Sequence, residues 1–317
     1  MLYCFLEEDM EGLLHDPLIF QKEYAKRLGS LLIGSLKQQT VYKESKPAVF
    51  GEEKVLLRCT CDHLEAGLHL LKQQGARLLE TGEDVKRIED WHTLGFARRN
   101  IWEVNLTQLP NVLSELPDFV DNVFVKSKQK GFSAVIGTGR IKQRDSEVVA
   151  FLEAQCEKYG ERMLLSIFMP IKKDSLGVRE SRHIIMDNQV TSSSRLVHSL
   201  SHTVPRSHRN KAGELAWQIK ELGTFPANYV LDMGEFVDHD GNSYLDIVEV
   251  NPLSCSMCYV NNSVFDAAVP EIIECRKSWQ MGYEFCFDAI HNAQRYTQKR
   301  TSAGNYVFTS EDRYFFL

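Results

Sequence analysis

The stretch YVLDMGEFVDHDGNSYLDIVEVN, residues 229–251, contains two runs of branched and aromatic residues separated by a polar turn. Such runs favour β-strands, and the Asp-Gly pair at 240–241 is a strong signal for a hairpin turn. Because side chains alternate between the two faces of a strand, Asp232 in the first strand can share a face with Glu249 and Asn251 in the second. The stretch therefore predicts a hairpin that carries three oxygen-bearing side chains.

These three side chains are candidate ligands of Mg²⁺, which binds a few protein oxygens and keeps its other positions for water and phosphate. A half-exposed hairpin whose charged face meets water would show the same alternation, so the pattern alone leaves both interpretations open. Pro252 favours the metal site, because proline ends the ladder after Asn251 and functional side chains are often found at strand exits. Asp246 falls on the opposite face, where we expect solvent or an ion-pair partner.

The composition of the chain limits the classes of protein to which it can belong. The chain has 317 residues, of which 43% are hydrophobic and 25% charged, so it can form more than one core, and we expect two or three lobes. A net charge of -6 argues against nucleic-acid binding by a broad basic surface. The sequence shows no signal peptide and no apolar run long enough to span a membrane, so we expect a cytoplasmic protein with reduced cysteines.

The N-terminal part predicts a small parallel α/β unit. Between residues 54 and 79 the apolar period changes from two to about 3.6 and back, which indicates a strand, a helix and a second strand. The helix has Leu64, Leu68 and Leu71 on one face, and Gly75 is placed to end it. A second helix is expected over Asp84–Leu94. We predict an open α/β domain over residues 1–118, with a linker near Pro117.

The rest of the chain, residues 119–317, predicts a second domain made of hairpins and helices. We divide it into a subdomain over residues 119–170 and another over residues 171–317. The predicted elements are a hairpin around a basic turn, a helix over Ser146–Tyr159, a strand over Arg162–Met169, a hairpin that turns at Asp187-Asn188, a helix over Lys211–Leu222, the hairpin quoted above, and two helices with a loop in the C-terminal tail.

The basic turn lies in VFVKSKQKGFSAVIGTG, where Lys126 ends an apolar strand and Lys128 and Lys130 follow. The glycines after it allow the backbone to approach a ligand closely, so the segment is a candidate phosphate cradle. It lacks the order of residues of a Walker A loop. A solvated hairpin turn whose lysines guard a sheet edge is the alternative.

Arginines form a further set of candidates. Glu180 and Arg182 lead a predicted strand on one face, where a plain salt bridge is the alternative to a functional role. Arg195 and Arg206 lie in a polar stretch rich in serine and histidine, which we expect to be a loop, and each can hold a phosphate or a carboxylate. His198 and His202 in the same stretch are four residues apart, as on one face of a helix. The serines around them and the lack of an acidic or cysteine ligand beside them favour a loop over a metal site.

Taken in order, these segments resemble the ATP-grasp superfamily. The resemblance rests on VFVKSKQKGFSAVI as a phosphate-lysine hairpin, RMLLSIFMPI as a strand leading to an adenine hinge, ESRHIIMDNQV as a Glu-x-Arg strand, and YVLDMG with DIVEVN as a metal hairpin. It covers most of the chain and is closest to a compact, little-characterised clade of these proteins. It implies an α/β (α+β) ATP-grasp fold, preceded by an open α/β domain.

The resemblance also implies roles for individual residues. Lys126 and Lys130 would contact the phosphates of ATP, and Glu180 would contribute to nucleotide binding. Backbone groups near Ser166, Ile167 and Phe168 would hold adenine. Arg182 would face the γ-phosphate or an acyl phosphate. The ligands of one or two Mg²⁺ ions would be Asp232, Glu249 and Asn251, and the candidates for substrate binding are Arg58, Arg195 and Arg206. The departure from larger relatives is that a separate lysine strand and a long glycine-rich lid are missing.

The implied activity is that of an ATP- and Mg²⁺-dependent carboxylate-amine ligase that forms an acyl phosphate on a small molecule, peptide or protein end. Three alternatives stay open from the sequence. The Lys128-Gln129-Lys130-Gly131 run has a faint likeness to the lysine motif of nucleotidyltransferases such as RNA ligases, although Lys130 replaces the usual aspartate. A kinase built on the same fold and a non-catalytic nucleotide-binding module are the other two. The substrates and the oligomeric state are not specified by the sequence.

Overall fold

The computed structural model describes residues 1–10, 22, 25–26, 29–117, 120–128, 132–174, 177–195, 204–256 and 313–316. These residues form two compact units, each built from separate parts of the chain. The first contains residues 1–91 and 171–235 and the described residues from 247 to 256, and the second contains residues 92–170, 236–246 and 313–316. The predicted domain boundary at 118/119 stays a prediction.

Helices and strands are numbered here in chain order. The α-helices are α1 (Leu64–Gln73), α2 (Gly82–Glu89), α3 (Leu109–Ser114), α4 (Thr138–Lys142), α5 (Ser146–Tyr159) and α6 (Arg206–Leu222). The strands are β1 (Leu2–Leu6), β2 (Leu31–Ser35), β3 (Thr40–Lys43), β4 (Lys46–Pro47), β5 (Lys54–Arg58), β6 (Arg77–Leu78), β7 (Ile101–Asn105), β8 (Asn122–Ser127), β9 (Ser133–Gly137), β10 (Arg162–Ile167), β11 (Lys173–Asp174), β12 (Gly177–Val178), β13 (Glu180–Met186), β14 (Gln189–Arg195), β15 (Tyr229–Val237), β16 (Ser243–Asn251) and β17 (Arg313–Phe316).

The first unit is built on a six-stranded sheet in the order β4-β3-β2-β1-β5-β6. The central strand β1 runs parallel to β2 and β5, and β5 runs parallel to β6, whereas β3 and β4 extend one edge in antiparallel fashion. All five residues of β1 are buried. This agrees with a strand that is covered on both faces, as parallel strands usually are.

Helices α1 and α2 cover one face of this sheet. The predicted stripe of Leu64, Leu68 and Leu71 is buried against the strands, which confirms the helix and its orientation. Gly75 follows the helix end with a φ of 80°, a conformation that glycine adopts at no steric cost. The second helix ends at Glu89, and a 3-10 turn, Trp91–Leu94, replaces the last part of the predicted span.

A second sheet, in the order β14-β13-β15-β16, packs against the other face of the six-stranded sheet. Tyr3, Phe5 and Leu56 of the six-stranded sheet share a core with Ile184 of β13 and Val230 of β15. Strand β13 is antiparallel to both β14 and β15. The turn at Asp187-Asn188 is where the sequence predicts it, with φ values of 49° and 61°. The hairpin of β15 and β16 is therefore anchored on β13.

The second unit contains a five-stranded sheet in the order β17-β9-β8-β10-β7. Strands β7 to β10 pair in antiparallel fashion, and β17 adds to β9 in parallel. Helices α3, α4 and α5 pack on one face, and α5 has the predicted bounds. The sequence interpretation missed β7 and β17, and the helices predicted for the C-terminal tail lie outside the described residues.

Two further findings concern the part of the chain that the structure describes. None of its helices is long and apolar enough to cross a membrane. The cysteines of this part form no disulfide, namely Cys4, Cys59, Cys61, Cys156 and Cys255.

The packing of α1 on the sheet predicts opposite effects for two glycine substitutions. A Cβ on Gly67 of α1 would lie 2.8 Å from Leu57 Cδ2 and 3.0 Å from Leu6 Cδ1, whereas a Cβ on Gly213 of α6 meets no heavy atom within 4 Å. We expect Gly67→Ala to lower the free energy of unfolding, because overpacking costs about 1–3 kcal/mol and outweighs the helix preference of alanine. Gly213→Ala should raise it by about 0.5–1 kcal/mol. Urea denaturation of both variants checks this, and a stabilised Gly67→Ala would show that α1 has room at this position.

Candidate active site

The three oxygen-bearing side chains of the hairpin lie together. Asp232 on β15 and Glu249 and Asn251 on β16 are 1%, 9% and 3% exposed. Asn251 Nδ2 donates to Asp232 Oδ2 at 3.0 Å and to Glu249 Oε1 at 2.8 Å. The amide of Asn251 therefore joins two buried carboxylates, and this is not the water-facing hairpin that was the alternative interpretation.

Arg182 binds Asp232 from the neighbouring strand. The two residues are register partners between β13 and β15. Arg182 Nε donates to Asp232 Oδ1 at 2.8 Å and Nη2 donates to Oδ2 at 2.6 Å, so the guanidinium fork matches both carboxylate oxygens. Both side chains are buried. Glu180 is also buried and lies opposite Gly234. The ion pair found for Arg182 is thus with Asp232, instead of the Glu180 pair considered from the sequence.

The residues of the hairpin fit Mg²⁺ by their chemistry. Two carboxylates and one amide are hard oxygen donors, and the oxygen and nitrogen of an amide exchange places when the side chain rotates by half a turn. Rotation of the Asn251 amide would put Oδ1 where Nδ2 now lies, 3.0 Å from Asp232 Oδ2 and 2.8 Å from Glu249 Oε1. Among the described residues no group of three His, Cys, Asp or Glu side chains is placed to hold a metal. Three hard oxygen donors suit a cation that keeps its other positions for water and phosphate.

A buried chain of polar side chains lies on the other face of β13. Ser181 Oγ is 2.9 Å from His183 Nε2 and 2.7 Å from His208 Nδ1 of α6, and His183 Nδ1 is 2.9 Å from Ser193 Oγ of β14. Burial, helped by the nearby charges of His208 and Arg209, lowers the pKa of His183 to about 3. His183 is therefore neutral at physiological pH, and the chain connects α6 to the strand that carries Arg182.

Two buried residues, Arg58 at the end of β5 and Glu80 just after β6, hold the segment that follows Asn251. Glu80 accepts hydrogen bonds from Leu253 N at 2.7 Å and Ser254 N at 2.8 Å. Burial raises the pKa of Glu80, and the two amides act in the opposite direction. Arg58 donates to the carbonyl oxygens of Leu253 and Ser256. The guanidinium of Arg58 thus binds the backbone of this segment. Substrate binding by Arg58 stays a prediction, and the burial of its side chain does not favour it.

The lysine hairpin belongs to the second unit. Lys126 of β8 is the register partner of Leu164 in β10 and Ser133 in β9. Lys128 Nζ pairs with Glu103 Oε2 at 3.0 Å. Burial would raise the pKa of Glu103, but hydrogen bonds from Lys128 and Arg162 outweigh it and lower the pKa. Lys128 is thus held by a carboxylate, while Lys130 lies outside the described residues.

The three hinge residues lie at the end of β10 in the second unit. Ser166 is buried and pairs with Phe124 on one side and Ile101 on the other. The N–H of Phe168 donates to Asn122 O at 3.1 Å. That N–H cannot donate to adenine at the same time, so adenine binding at the hinge would use other backbone groups.

The remaining candidates lie around α6. Arg206 is its first residue and is exposed, so the helix begins inside the stretch predicted as a loop. Strand β14 ends at Arg195, opposite Ser181. His198 and His202 lie outside the described residues. The prediction that Arg195 and Arg206 bind substrate stays a prediction.

Several solved structures resemble this chain. D-cycloserine synthetase DcsG matches with a TM-score of 0.56 at 14% identity, over 84% of this chain and 96% of its own. The D-alanine-D-alanine ligase from Coxiella burnetii matches with 0.55 at 10%, over 95% and 99%. The RimK domain protein ATP-grasp from Sphaerobacter thermophilus matches with 0.50 at 13%, over 80% and 91%. No protein-family model matches the chain, and no curated protein matches it in sequence.

The chain has the ATP-grasp fold. The fold class predicted from the order of the sequence segments is therefore confirmed. Within this ATP-grasp fold, the sequence interpretation missed Glu80 and Glu103. Glu80 follows β6, which pairs with β5, and Glu103 lies in β7, which pairs with β10. Nothing beside either residue in the sequence marks it except a single carboxylate among apolar residues.

The buried pair within the ATP-grasp fold predicts a strong effect of Arg182→Ala. Removal of the guanidinium leaves Asp232 charged and buried, which typically costs about 3–5 kcal/mol. The free energy of unfolding, measured by urea denaturation in EDTA, should fall by an amount of that order. Arg179→Ala is the control, because the partly exposed pair of Arg179 with Glu235 is worth about 0–1 kcal/mol. Equal losses in the two variants would contradict the assignment.

The neutral state of His183 predicts acid sensitivity. The unfolded chain takes up a proton at this residue below pH 6.5, whereas the folded chain does so only near pH 3, so acid favours unfolding over this window. This histidine should contribute a fall of up to about 1.4 kcal/mol in the free energy of unfolding per pH unit. His183→Gln should flatten the dependence, and His239→Gln, at an exposed position, should not. Urea denaturation at a series of pH values provides the comparison.

Proposed function

We propose that this protein is an ATP- and Mg²⁺-dependent ligase that joins a carboxylate to an amine through an acyl phosphate. The observation that carries the proposal is the convergence of Asp232, Glu249 and Asn251 on one buried hairpin face, with hydrogen bonds of 3.0 and 2.8 Å between them. The ATP-grasp fold supports it, because the three compared structures include a synthetase and a ligase. We also place the reaction in the cytoplasm.

In this proposal the three side chains hold Mg²⁺, which when bound would neutralise charge on the phosphates of ATP. Arg182 keeps the carboxylate of Asp232 in place, because two of its three guanidinium nitrogens donate to it. A contact with the γ-phosphate or with an acyl phosphate is the second role that we propose for Arg182. The protein itself would bind and orient the substrates and exclude water from them. Positioning of this kind is most of what a protein contributes to phosphoryl transfer.

The second unit is proposed to bind ATP through Lys126 and the hinge. We assign the phosphate contact to Lys126, and Lys128 is paired with Glu103. The buried Ser166 and the residues after it would border adenine. Glu180 and Lys130 remain candidates for nucleotide contacts, and Arg195 and Arg206 for the substrate carboxylate, since a guanidinium fork matches a carboxylate. The substrate itself is a small molecule, a peptide or a protein end.

A panel of L- and D-amino acids and dipeptides, supplied as carboxylates and amines with ATP and Mg²⁺, tests the activity. A ligase releases ADP and phosphate, a kinase releases ADP without free phosphate, and a nucleotidyltransferase retains covalent AMP. Hydroxylamine added to the mixture should trap the acyl phosphate as a hydroxamate. The absence of hydroxamate and of free phosphate across the panel would overturn the ligase assignment.

Substitutions in the hairpin test the metal site. Glu249→Ala and Asn251→Ala should each lower Mg²⁺-dependent hydroxamate formation by about 100-fold or more, as expected for the loss of electrostatic stabilisation of a transferring group. Asp240→Ala is the matched control, because it removes an exposed carboxylate from the turn of the same hairpin. Isothermal titration with a non-hydrolysable ATP analogue and Mg²⁺ should show weakened binding in the first two variants only. Unchanged binding in all three would contradict the metal assignment.

A further inference from the structure

A second polar cluster of the first unit lies where β1 and β5 end. Asp9 follows β1 and is 3% exposed, and His63 closes the 3-10 turn Cys61–His63 that follows β5. Asp9 Oδ1 lies 2.7 Å from His63 Nδ1. The proposed function assigns no role to this aspartate-histidine pair.

The pair occupies a position in the sheet that favours ligand binding. The chain leaves β1 towards β2 on one side, and β5 lies on the other side of β1, with all three strands parallel. In open α/β sheets, ligands bind outside the carboxyl ends of the strands at the point where the strand order changes direction. Asp9 and His63 follow the carboxyl ends of the two strands that meet at this point.

The hydrogen bonds of the pair orient His63 as a base. Asp9 also accepts from Thr60 N at 3.1 Å and from Thr60 Oγ1 at 2.5 Å, so its carboxylate is fixed. A carboxylate at Nδ1 holds the proton of neutral imidazole on that nitrogen, which leaves the lone pair on Nε2. The side chain of His63 is 34% exposed, and the described part of the chain provides no hydrogen-bond partner for Nε2. An aspartate that orients a histidine in this way is the arrangement that serves general-base catalysis elsewhere.

Backbone hydrogen bonds connect the pair to the proposed metal strand. The N–H of Cys59 donates to Ser254 O at 3.0 Å, in the segment that follows Asn251. The next N–H, of Thr60, donates to Asp9. The amide of Cys59 thus holds the segment after the proposed metal ligands, and the next amide, that of Thr60, holds Asp9 of the aspartate-histidine pair. The pair and the exit of β16 therefore lie at the same edge of the first unit.

We propose that His63 is the general base of the amine half of the reaction and that Asp9 is its positioning residue. The inference rests on the proposed ligase function and adds a residue to it. An amine attacks an acyl phosphate only after it is neutral, and the nitrogen must lose a further proton as the amide forms. A base beside the exit of the strand that carries Glu249 and Asn251 would supply this step.

The step balances as follows. The amine nitrogen attacks the carbonyl carbon of the acyl phosphate and forms the C–N bond, and the nitrogen gives a proton to His63 Nε2. The C–O bond to the phosphate then breaks, and phosphate leaves with the electron pair. The imidazolium is held by the carboxylate of Asp9 and returns its proton to water. No oxidant or reductant takes part.

The test separates the two halves of the reaction in His63→Gln, which keeps a side chain that can hydrogen-bond to Asp9 but removes the base. Hydroxylamine is largely unprotonated at neutral pH and is a strong nucleophile, so it should trap the acyl phosphate without help from His63. We expect hydroxamate formation with ATP, Mg²⁺ and the amino-acid panel to be unchanged, and amide formation from the same panel to fall by about 100-fold or more. His69→Gln, on the exposed side of α1, is the matched control and should change neither rate.

Asp9→Asn tests the positioning role. It should lower amide formation and leave hydroxamate formation intact, and ¹⁵N chemical shifts of the His63 ring should report a change of tautomer. A purely structural role of the pair would instead lower the thermal stability of both variants and reduce both products together.

The outcomes are distinct. Retained hydroxamate with lost amide supports the inference. Retention of both products, or loss of both in a folded His63→Gln variant, overturns it and leaves the ligase assignment standing. Absence of both products from the unsubstituted protein across the panel overturns the proposed function, and the inference with it.

Discussion

The ion pair of Arg182 and Asp232 is the constraint on which the rest of the first unit depends. A buried pair of opposite charges loses its hydration, and this loss is offset only when the geometry is near ideal and the remaining lone pairs are satisfied. Both conditions are met here, because the guanidinium fork matches both oxygens and Asn251 donates to the same carboxylate. A shift of one residue between β13 and β15 would place Arg182 opposite an apolar face, so the pair also fixes the strand register.

Further buried contacts hold β13, which carries Arg182, and β16, which carries Asn251. Strand β13 is held from one face by the serine-histidine chain that reaches α6, and β16 is held at its exit by Glu80 and Arg58. These contacts are polar and buried, so each is costly to break. The carboxylates of Asp232 and Glu249 are thereby kept within hydrogen-bond distance of one amide, that of Asn251, as the proposed cation site requires.

Local patterns of the sequence were sufficient for those elements whose signals are local. The turn at Asp187-Asn188, the bounds of α5 and the alternation that gathers Asp232 with Glu249 and Asn251 depend on neighbours within a few residues, and the structure contains all of them. Strands β7 and β17 are short and pair with remote strands, so nothing beside them in the sequence distinguishes them from loops. The partner of Arg182 and the burial of Arg58 were not predictable for the same reason, since both depend on packing between segments far apart.

The discontinuity of the first unit has a consequence for how the chain acquires its site during synthesis. Its sheet of β1 to β6 comes from the first 91 residues, but the strand with Glu249 and Asn251 is made only after residues 92–170 of the second unit. The contacts of Glu80 and Arg58 with residues beyond 252 close a loop of more than 170 residues. Closure of so long a loop is slow and comes late in folding. A nascent or truncated chain would therefore hold the early sheet without the strand that carries Glu249 and Asn251, so the cation site proposed above would form only after residues 247–256 have been made.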